Sequence, residues 1–170
     1  SGEDLIFYSD GSDYAANIEQ AAQYIPTIQR TDGEKRTMQK IETKEACRIS
    51  EVATLLGLST DHIVKTLIVK GTTSPYVALC LRGDHELNAL KAEKLPEIAA
   101  PLTLASDEEL INYFGCLPGS LGPFHPDVPV IVDYSARQLN NVCCGANETG
   151  YHVVGANSER DIQINHIADL

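Results

Sequence analysis

The sequence predicts an α/β or α+β domain built around a mixed β-sheet. Two observations carry this prediction: apolar runs of strand length recur along the chain, and segments with the apolar spacing of helices lie between them. The chain has 170 residues, of which 43% are hydrophobic, and this is enough for one globular domain with its own core. Because tryptophan is absent, aliphatic residues must build that core. The main candidates are the runs at 63–69, 76–81 and 128–132.

Residues 1–35 are predicted to be a peripheral segment that precedes the main domain. Residues 5–8 have the composition of a short strand, and residues 12–23 have that of an alanine-rich helix with a polar start. A polar linker follows at residues 31–36, after which the hydrophobic pattern becomes denser. We therefore place the main domain boundary at this linker.

A helix and a β-hairpin are predicted to open the main domain. Residues 50–58 place apolar side chains, including Val52, on one helical face, and Gly57 provides a stop signal. A strand at 64–70 then returns through a turn as a strand at 76–82. The remaining elements follow in the order helix 87–95, strand 102–105, helix 106–114 with a capping box of Ser106 and Glu109, strand 128–132, a helix from Ser135, and strands around 142–144 and 151–154.

The chain carries 13 basic and 24 acidic residues, which gives a net charge of −11. This balance argues against a domain that grips a long stretch of nucleic-acid backbone by itself, although it permits a short contact at the end of one strand. Basic residues are unevenly placed, since the first 29 residues contain none.

The five cysteines form an odd set without the paired spacing of a zinc site. We expect them to be reduced, with Cys80 and Cys143 in the core. Cys143 and Cys144 are adjacent, so in a strand they would point to opposite faces. The N-terminus lacks the pattern of a secretion signal, and no apolar run has the length of a membrane span. The expected location is therefore the cytoplasm.

Glycine and proline are concentrated between residues 115 and 124. Pro118 and Pro123 fix φ and lack an amide hydrogen, while Gly119 and Gly122 allow a ligand or another backbone to come close. Such a loop is either a plain connection or a rigid cradle of main-chain N–H groups. The residues of the loop alone favour neither interpretation.

Three further residues stand out by their position. Lys65 lies within an apolar strand, so it either faces solvent on an edge strand, which is the favoured interpretation, or is held in a pocket with an anion. Asp133 ends a strand and either caps the helix from Ser135, which is favoured, or serves as a functional carboxylate. His152 begins a strand, where a lone histidine is usually structural.

Several activities lose support because their motifs are absent. The sequence has no P-loop, no dinucleotide-binding glycine motif, no His-x-x-His or His-Glu-x-x-His motif and no Gly-x-Ser-x-Gly elbow. Ser120 has no base placed beside it by sequence, so it does not resemble an activated nucleophile.

Five segments, taken in order, resemble the editing insertion domain of bacterial prolyl-tRNA synthetase and the fold of the free-standing YbaK and ProX class of aminoacyl-tRNA deacylases. They are residues 64–69, 81–88, 118–123, 130–133 and 144–157. The resemblance implies a mixed, partly barrel-like sheet surrounded by helices, with the editing domain over residues 36–160. It further implies that residues 1–35 come from the synthetase side and that residues 161–170 return towards the catalytic domain.

The resemblance implies post-transfer editing, in which alanine wrongly esterified to the tRNA for proline is hydrolysed. A pocket that accepts proline cannot strongly exclude the smaller alanine, so a second, small hydrolytic site must supply the discrimination. The implied partners are the acceptor end of that tRNA and the rest of the synthetase, with no membrane and no DNA. Editing would need no cofactor or metal, since ATP and magnesium would belong to the synthetase's catalytic domain.

The resemblance also implies roles for individual residues. Lys65 would meet the 3′-terminal nucleotide or the ester, and the backbone amides of the loop Gly119–Ser120–Leu121–Gly122–Pro123 would hold the ester and help to position water. Asp133 would be the aspartate of the site, His152 would set the selectivity for alanine, Ile49 and Val52 would line a small apolar pocket, and Lys65, Lys70 and Arg82 would suffice for the acceptor end.

Two departures from the family pattern lie beside His152. Ser158 stands where the family often has tryptophan, and Thr149 stands where it often has an acidic residue. They leave open an alternative in which the domain is a catalytically weak insertion that binds the tRNA acceptor end or stabilises the synthetase.

Overall fold

The computed structural model describes residues 34–44 and 46–170, together with the backbone of two strands nearer the N-terminus. These strands, Ile6–Tyr8 (β1) and Ala15–Asn17 (β2), pair in antiparallel orientation.

β1 confirms the strand predicted at residues 5–8, whereas the helix predicted over 12–23 is wrong where β2 lies. Pairing with β1 engages backbone groups of β2 that a helix would bond internally, and this pairing overrides the helical tendency of its alanines. The rest of that predicted helix lies outside the described residues.

The main domain alternates short helices with strands, as expected. In chain order its elements are β3 (Gln39–Glu42), α1 (Ile49–Leu56), β4 (Val64–Lys70), β5 (Tyr76–Arg82), α2 (Ala89–Ala92), α3 (Asp107–Phe114), β6 (Val130–Asp133), α4 (Tyr134–Arg137), β7 (Val142–Gly145), β8 (Tyr151–Ala156) and β9 (His166–Ala168), with short 3-10 turns at Thr60–His62 and Pro118–Ser120.

The strands form two sheets that meet at one corner. A mixed sheet has the order β4-β5-β6-β9, in which β4 and β5 are antiparallel while β6 runs parallel to both β5 and β9. An antiparallel sheet has the order β3-β8-β7. A backbone bridge between Ile63 and Cys143 joins the start of β4 to β7. The mixed α+β architecture predicted from the sequence is thereby confirmed.

The hairpin and two helix boundaries lie where the sequence predicts them. β4 and β5 have their predicted bounds, and α1 is followed by Gly57, whose φ of +66° suits glycine. The N-cap of α3 is Ser106, whose hydroxyl oxygen accepts a hydrogen bond from the Glu109 amide at 3.2 Å, and the two residues form the predicted capping box.

Two predicted elements are shorter than expected. The helix predicted at 87–95 is confined to α2, because Asn88 caps its start and the amides of Lys94 and Leu95 bond three residues back, as in a tight turn. The strand predicted at 102–105 is reduced to one bridge between Leu104 and Val69, flanked by two backbone hydrogen bonds to the edge of β4.

The mixed sheet is buried on both faces, and α1 covers a third cluster at the corner between the sheets. One face packs against the antiparallel sheet and the Gly/Pro loop through Val64, Cys80, Val132, Leu121 and Cys144. The opposite face packs through Leu79, Leu81, Ile131, Ala92 and Leu170. The α1 cluster contains Val52, Ala53, Ile63 and Cys143.

The cysteine predictions are confirmed within this core. Cys80 and Cys143 are buried and free, and Cys143 and Cys144 belong to different clusters, as opposite faces of a strand require. Burial raises the pKa of the Cys80 thiol to about 12 and that of Cys143 to about 11. These thiols are therefore packing residues rather than nucleophiles.

Candidate functional site

The Gly/Pro loop at residues 118–123 is clamped against the end of β7. A Cβ atom added to Gly122 would lie 1.8 Å from the Gly145 carbonyl oxygen, and one added to Gly145 would lie 2.1 Å from the Leu121 carbonyl oxygen. Glycine is required at both positions because the two backbones are in direct contact. The loop is therefore a tightly packed wall and more than a plain connection.

The loop backbone is held by hydrogen bonds of its own. The Ser120 and Leu121 amides donate to the carbonyls of Leu117 and Pro118 at 3.0 and 3.2 Å. The Gly122 amide donates to Asn147 Oδ1 at 2.7 Å. These three amides already have acceptors, so a bound ester would have to compete with them.

Gly119 brings the loop to the segment that precedes α1. A Cβ atom at Gly119 would lie 2.7 Å from the carbonyl oxygen of Cys47, an exposed residue two positions before α1. The backbone of Gly119 also interacts with the imidazole of His152 and acts to raise its pKa against the effect of burial. Gly119 is therefore the residue at which the loop, β8 and the segment before α1 meet.

His152 is a buried histidine with a partner on both sides. Its Nδ1 lies 2.6 Å from Thr43 Oγ1, and its ring also contacts the Gly119 backbone. A neutral ring that accepts from Thr43 at Nδ1 and donates to the Gly119 carbonyl satisfies both contacts. Burial lowers the pKa of His152, and the interaction with Gly119 opposes this effect in part.

The two residues on α1 that were predicted to line the pocket differ in how exposed their side chains are. Ile49 is half-buried, and its Cγ2 lies 2.9 Å from the position that a Cβ atom of Gly83 would take. Val52 is fully buried and contributes to the cluster beneath the helix. Ile49 is therefore the residue of the pair that can face a ligand, while Val52 supports it from the core.

Lys65 is held against the protein, so the solvent-facing interpretation favoured from its residues alone is wrong. Its side chain is only 16% exposed, and its Nζ lies 3.7 Å from Glu86 Oε1. Strand alternation places Lys65 on the face of β4 that also carries Ile63, which α1 covers. Lys65 therefore stands between Ile63 of the α1 cluster and Leu67, which packs against the cluster on the opposite face of the mixed sheet.

Asp133 is completely buried and acts as the N-cap of α4, as predicted. Its Oδ2 accepts hydrogen bonds from the amide, at 3.0 Å, and from the hydroxyl of Ser135. Its Oδ1 accepts from the Leu170 amide at 2.9 Å. Both carboxylate oxygens are engaged, one by Ser135 of α4 and one by Leu170, and none of these contacts is with the Gly/Pro loop.

The two cations expected to assist Lys65 form ion pairs. Lys70 pairs with Glu109, and this contact, together with a hydrogen bond from Tyr76, lowers the Glu109 pKa to about 2. Arg82 forms a bidentate pair with Asp84 at 2.6 and 2.9 Å. A nucleic-acid phosphate that used either cation would have to compete with a carboxylate.

Sequence reasoning missed two residues that hold the site together, Asn147 and Thr43, and it assigned no contact to Thr149, which it noted only as a departure from the family pattern. Asn147 and Thr149 lie within segment 144–157 and bind the amides of Gly122 and Leu117, so these roles could have been sought there. Thr43, the partner of His152, lies outside every motif, and no sequence signal pointed to it.

The described residues also limit which other sites are present. Among residues 34–44 and 46–170, no three His, Cys, Asp or Glu side chains form a group that could hold a metal ion. In the same part of the chain, no helix is long and apolar enough to cross a membrane.

Known proteins resemble this chain at the level of family and of fold. The model of the aminoacyl-tRNA editing domain matches residues 43–162. Solved structures share the fold. One, described as a hypothetical protein, has a TM-score of 0.63 and 24% sequence identity, and the match covers 78% of this chain and 90% of that protein's chain. Another, whose name assigns it to trans-editing for prolyl tRNA synthetase, has a TM-score of 0.65 with 22% identity over 78% of this chain and 85% of its own.

Whole-chain relatives are found among proline–tRNA ligases. The chain is 43% identical over all 170 residues to the proline–tRNA ligase of Francisella philomiragia and 41% identical to that of Francisella tularensis. It spans 30% of the length of each of these relatives. With the family model covering most of the chain, the protein belongs to the aminoacyl-tRNA editing domain family.

Proposed function

We propose that this domain hydrolyses the ester bond of alanine mischarged onto the tRNA for proline. The observation that carries the proposal is the set of contacts at Gly119, which joins the Gly/Pro loop to His152 and to the segment before α1. Family membership supplies the reaction class, and the match to proline–tRNA ligases supplies the tRNA.

Hydrolysis requires water to form a bond to the ester carbonyl carbon while the bond to the terminal ribose oxygen breaks. The products are alanine and a tRNA with a free ribose hydroxyl, which takes up a proton. Lys65 would place its ammonium against the 3′-terminal nucleotide or the ester, and positive charge there stabilises the oxyanion of the transition state. A neighbouring hydroxyl of the same ribose would assist the attack, so no protein side chain need be a strong base.

Selectivity would come from the rigidity of the pocket. The Gly/Pro loop cannot move outward without losing its backbone contacts with Gly145 and Cys47, and His152 interacts with it at Gly119. A rigid, small pocket admits the alanyl methyl group and rejects the prolyl ring. The site that attaches proline to the tRNA has the opposite property, because it must accept the larger side chain.

A second candidate function has one observation in its favour. Three loop amides and both accessory cations, Lys70 and Arg82, already have partners within the protein. A domain of this kind could serve as a catalytically weak insertion that contacts the acceptor end or stabilises a ligase.

The variant Lys65→Ala tests the proposal against this alternative. We expect the wild-type chain to deacylate alanyl-tRNA and Lys65→Ala to lose at least about a hundredfold in rate, because it removes the charge that faces the transition state. Rates are measured from labelled alanyl-tRNA, with circular dichroism as the check on folding. The matched control is Lys44→Ala, at a lysine whose side chain is 74% exposed. A Lys65→Ala rate equal to that of the control would remove Lys65 from the mechanism.

A further inference from the structure

The turn that begins at the last residue of β5, residues 82–86, contacts two residues of the proposed site, Ile49 and Lys65. Its Gly83 amide donates to the Ile63 carbonyl at 2.6 Å, immediately before β4, and Gly83 also contacts Ile49. At the other end of the turn, Glu86 lies beside the Lys65 ammonium. Any shift of this turn would therefore move the surroundings of both Ile49 and Lys65.

A chain of hydrogen bonds connects this turn to a buried carboxylate. His85 Nδ1 lies 3.2 Å from Ser135 Oγ, and that hydroxyl donates to Asp133 Oδ2. The second oxygen of Asp133 accepts from the Leu170 amide. Asp133 is completely buried, so the chain is anchored in the core of the mixed sheet.

The direction of the hydrogen bonds defines the tautomer of His85. A serine hydroxyl has one hydrogen, and here it is directed to the carboxylate of Asp133. The Ser135 oxygen can then only accept from His85, so Nδ1 carries the hydrogen. The imidazole thus ties the turn to α4 through a donated hydrogen bond, in the order His85, Ser135, Asp133.

We propose that His85 is a positioning residue of the editing site: through Ser135 and Asp133 it holds the turn 82–86 against Lys65 and Ile49. This inference rests on the proposed function, because the site it orders is the deacylation site. It also gives Asp133 a role in editing that requires no contact with substrate.

Charged groups around His85 come from three elements. Asp84, its partner Arg82 and Glu86 lie on the same turn, Asp133 lies at the end of β6, and Lys65 of β4 pairs with Glu86. Removal of the imidazole leaves these charges in place, so the expected defect comes from displacement of the turn.

The test compares His85→Ala with His85→Asn in the full 170-residue chain. The asparagine amide N–H can replace the Nδ1–H donor to Ser135, whereas alanine cannot. We expect kcat for alanyl-tRNA hydrolysis to fall about tenfold in His85→Ala, because small misplacements of reacting groups are costly, and to stay within about twofold of wild type in His85→Asn. The matched control is His166→Ala, at another half-buried histidine paired with a side chain.

Amide hydrogen exchange provides a readout that does not depend on the reaction. Exchange of the Gly83 amide should accelerate in His85→Ala and remain slow in His85→Asn and His166→Ala. If wild type fails to deacylate, the proposed function fails, and the exchange pattern still decides whether His85 holds the turn. Equal losses in the alanine and asparagine variants, or unchanged exchange at Gly83 in His85→Ala, would overturn the positioning role.

Discussion

The two parts of the site are built in different ways. The part around the Gly/Pro loop is held by direct contact between backbones, at Gly122 with Gly145 and at Gly119 with Cys47. The part around Lys65 is held by side chains, through the chain from His85 to Asp133 and the pair with Glu86. In the proposed function, the first part would define the shape of the pocket, and the second would place a positive charge.

This difference predicts which substitutions the protein tolerates. Backbone contacts leave no room for an added atom, so a methyl group in the first part should damage the fold itself. Side-chain networks can be weakened while the strands remain paired, so changes in the second part should impair activity more than stability.

Gly122→Ala is expected to have the largest effect. The added Cβ would overlap a backbone oxygen that cannot move without displacing β7, so we expect a loss of about 3 kcal/mol in the free energy of unfolding. The measurement is chemical denaturation followed by circular dichroism.

The control for this variant separates crowding from backbone conformation. Gly115→Ala meets no atom within 4 Å but has a φ of +75°, so it should lose only about 1 kcal/mol. Equal losses in the two alanine variants would mean that the loop is not clamped against Gly145.

Most of the fold was predictable because its signals are local. The strand bounds of the hairpin follow from continuous apolar runs, and the ends of α1 and α3 follow from Gly57 and a capping box. The helix predicted across β2 failed because strand pairing is a longer-range interaction that alanine content does not report.

The candidate site was less predictable than the fold. Lys65 and Asp133 stood out from their strands, but the choice between solvent and pocket for Lys65 depended on how the folded chain covers its side chain, which the pattern of the strand does not report. The contact of Thr43 with His152 joins the residue after β3 to β8, and no sequence pattern indicates it. The partners of the loop amides likewise follow only from the folded turn.

A smaller effect on the free energy of unfolding is expected when the pH is lowered. It arises at His152, in the part of the site around the Gly/Pro loop. Burial lowers the pKa of His152, so the folded state binds its proton less readily than the unfolded chain. The stability that neutral His152 contributes is therefore present above its ordinary pKa of about 6.5 and is lost as the pH falls below it. Denaturation curves between pH 7.5 and 5.5 should show this loss, and His152→Gln should reduce it.

Glu109 titrates in a separate and lower range. Its pKa is lowered to about 2, chiefly by Lys70. Its contribution to the free energy of unfolding is therefore present above about pH 4.5 and disappears as the pH falls towards 2. A loss of stability that is confined to the lower range in wild type would show that His152 is not held neutral by burial.

The most direct test of the account is the hydrolysis of alanyl-tRNA and prolyl-tRNA, both carried on the tRNA for proline, by the wild-type chain. If the rigid loop and the charge of Lys65 form one small hydrolytic site, alanine is released well above the uncatalysed rate and proline is not. Release of neither amino acid from fully acylated tRNA, or equal release of both, would contradict the account.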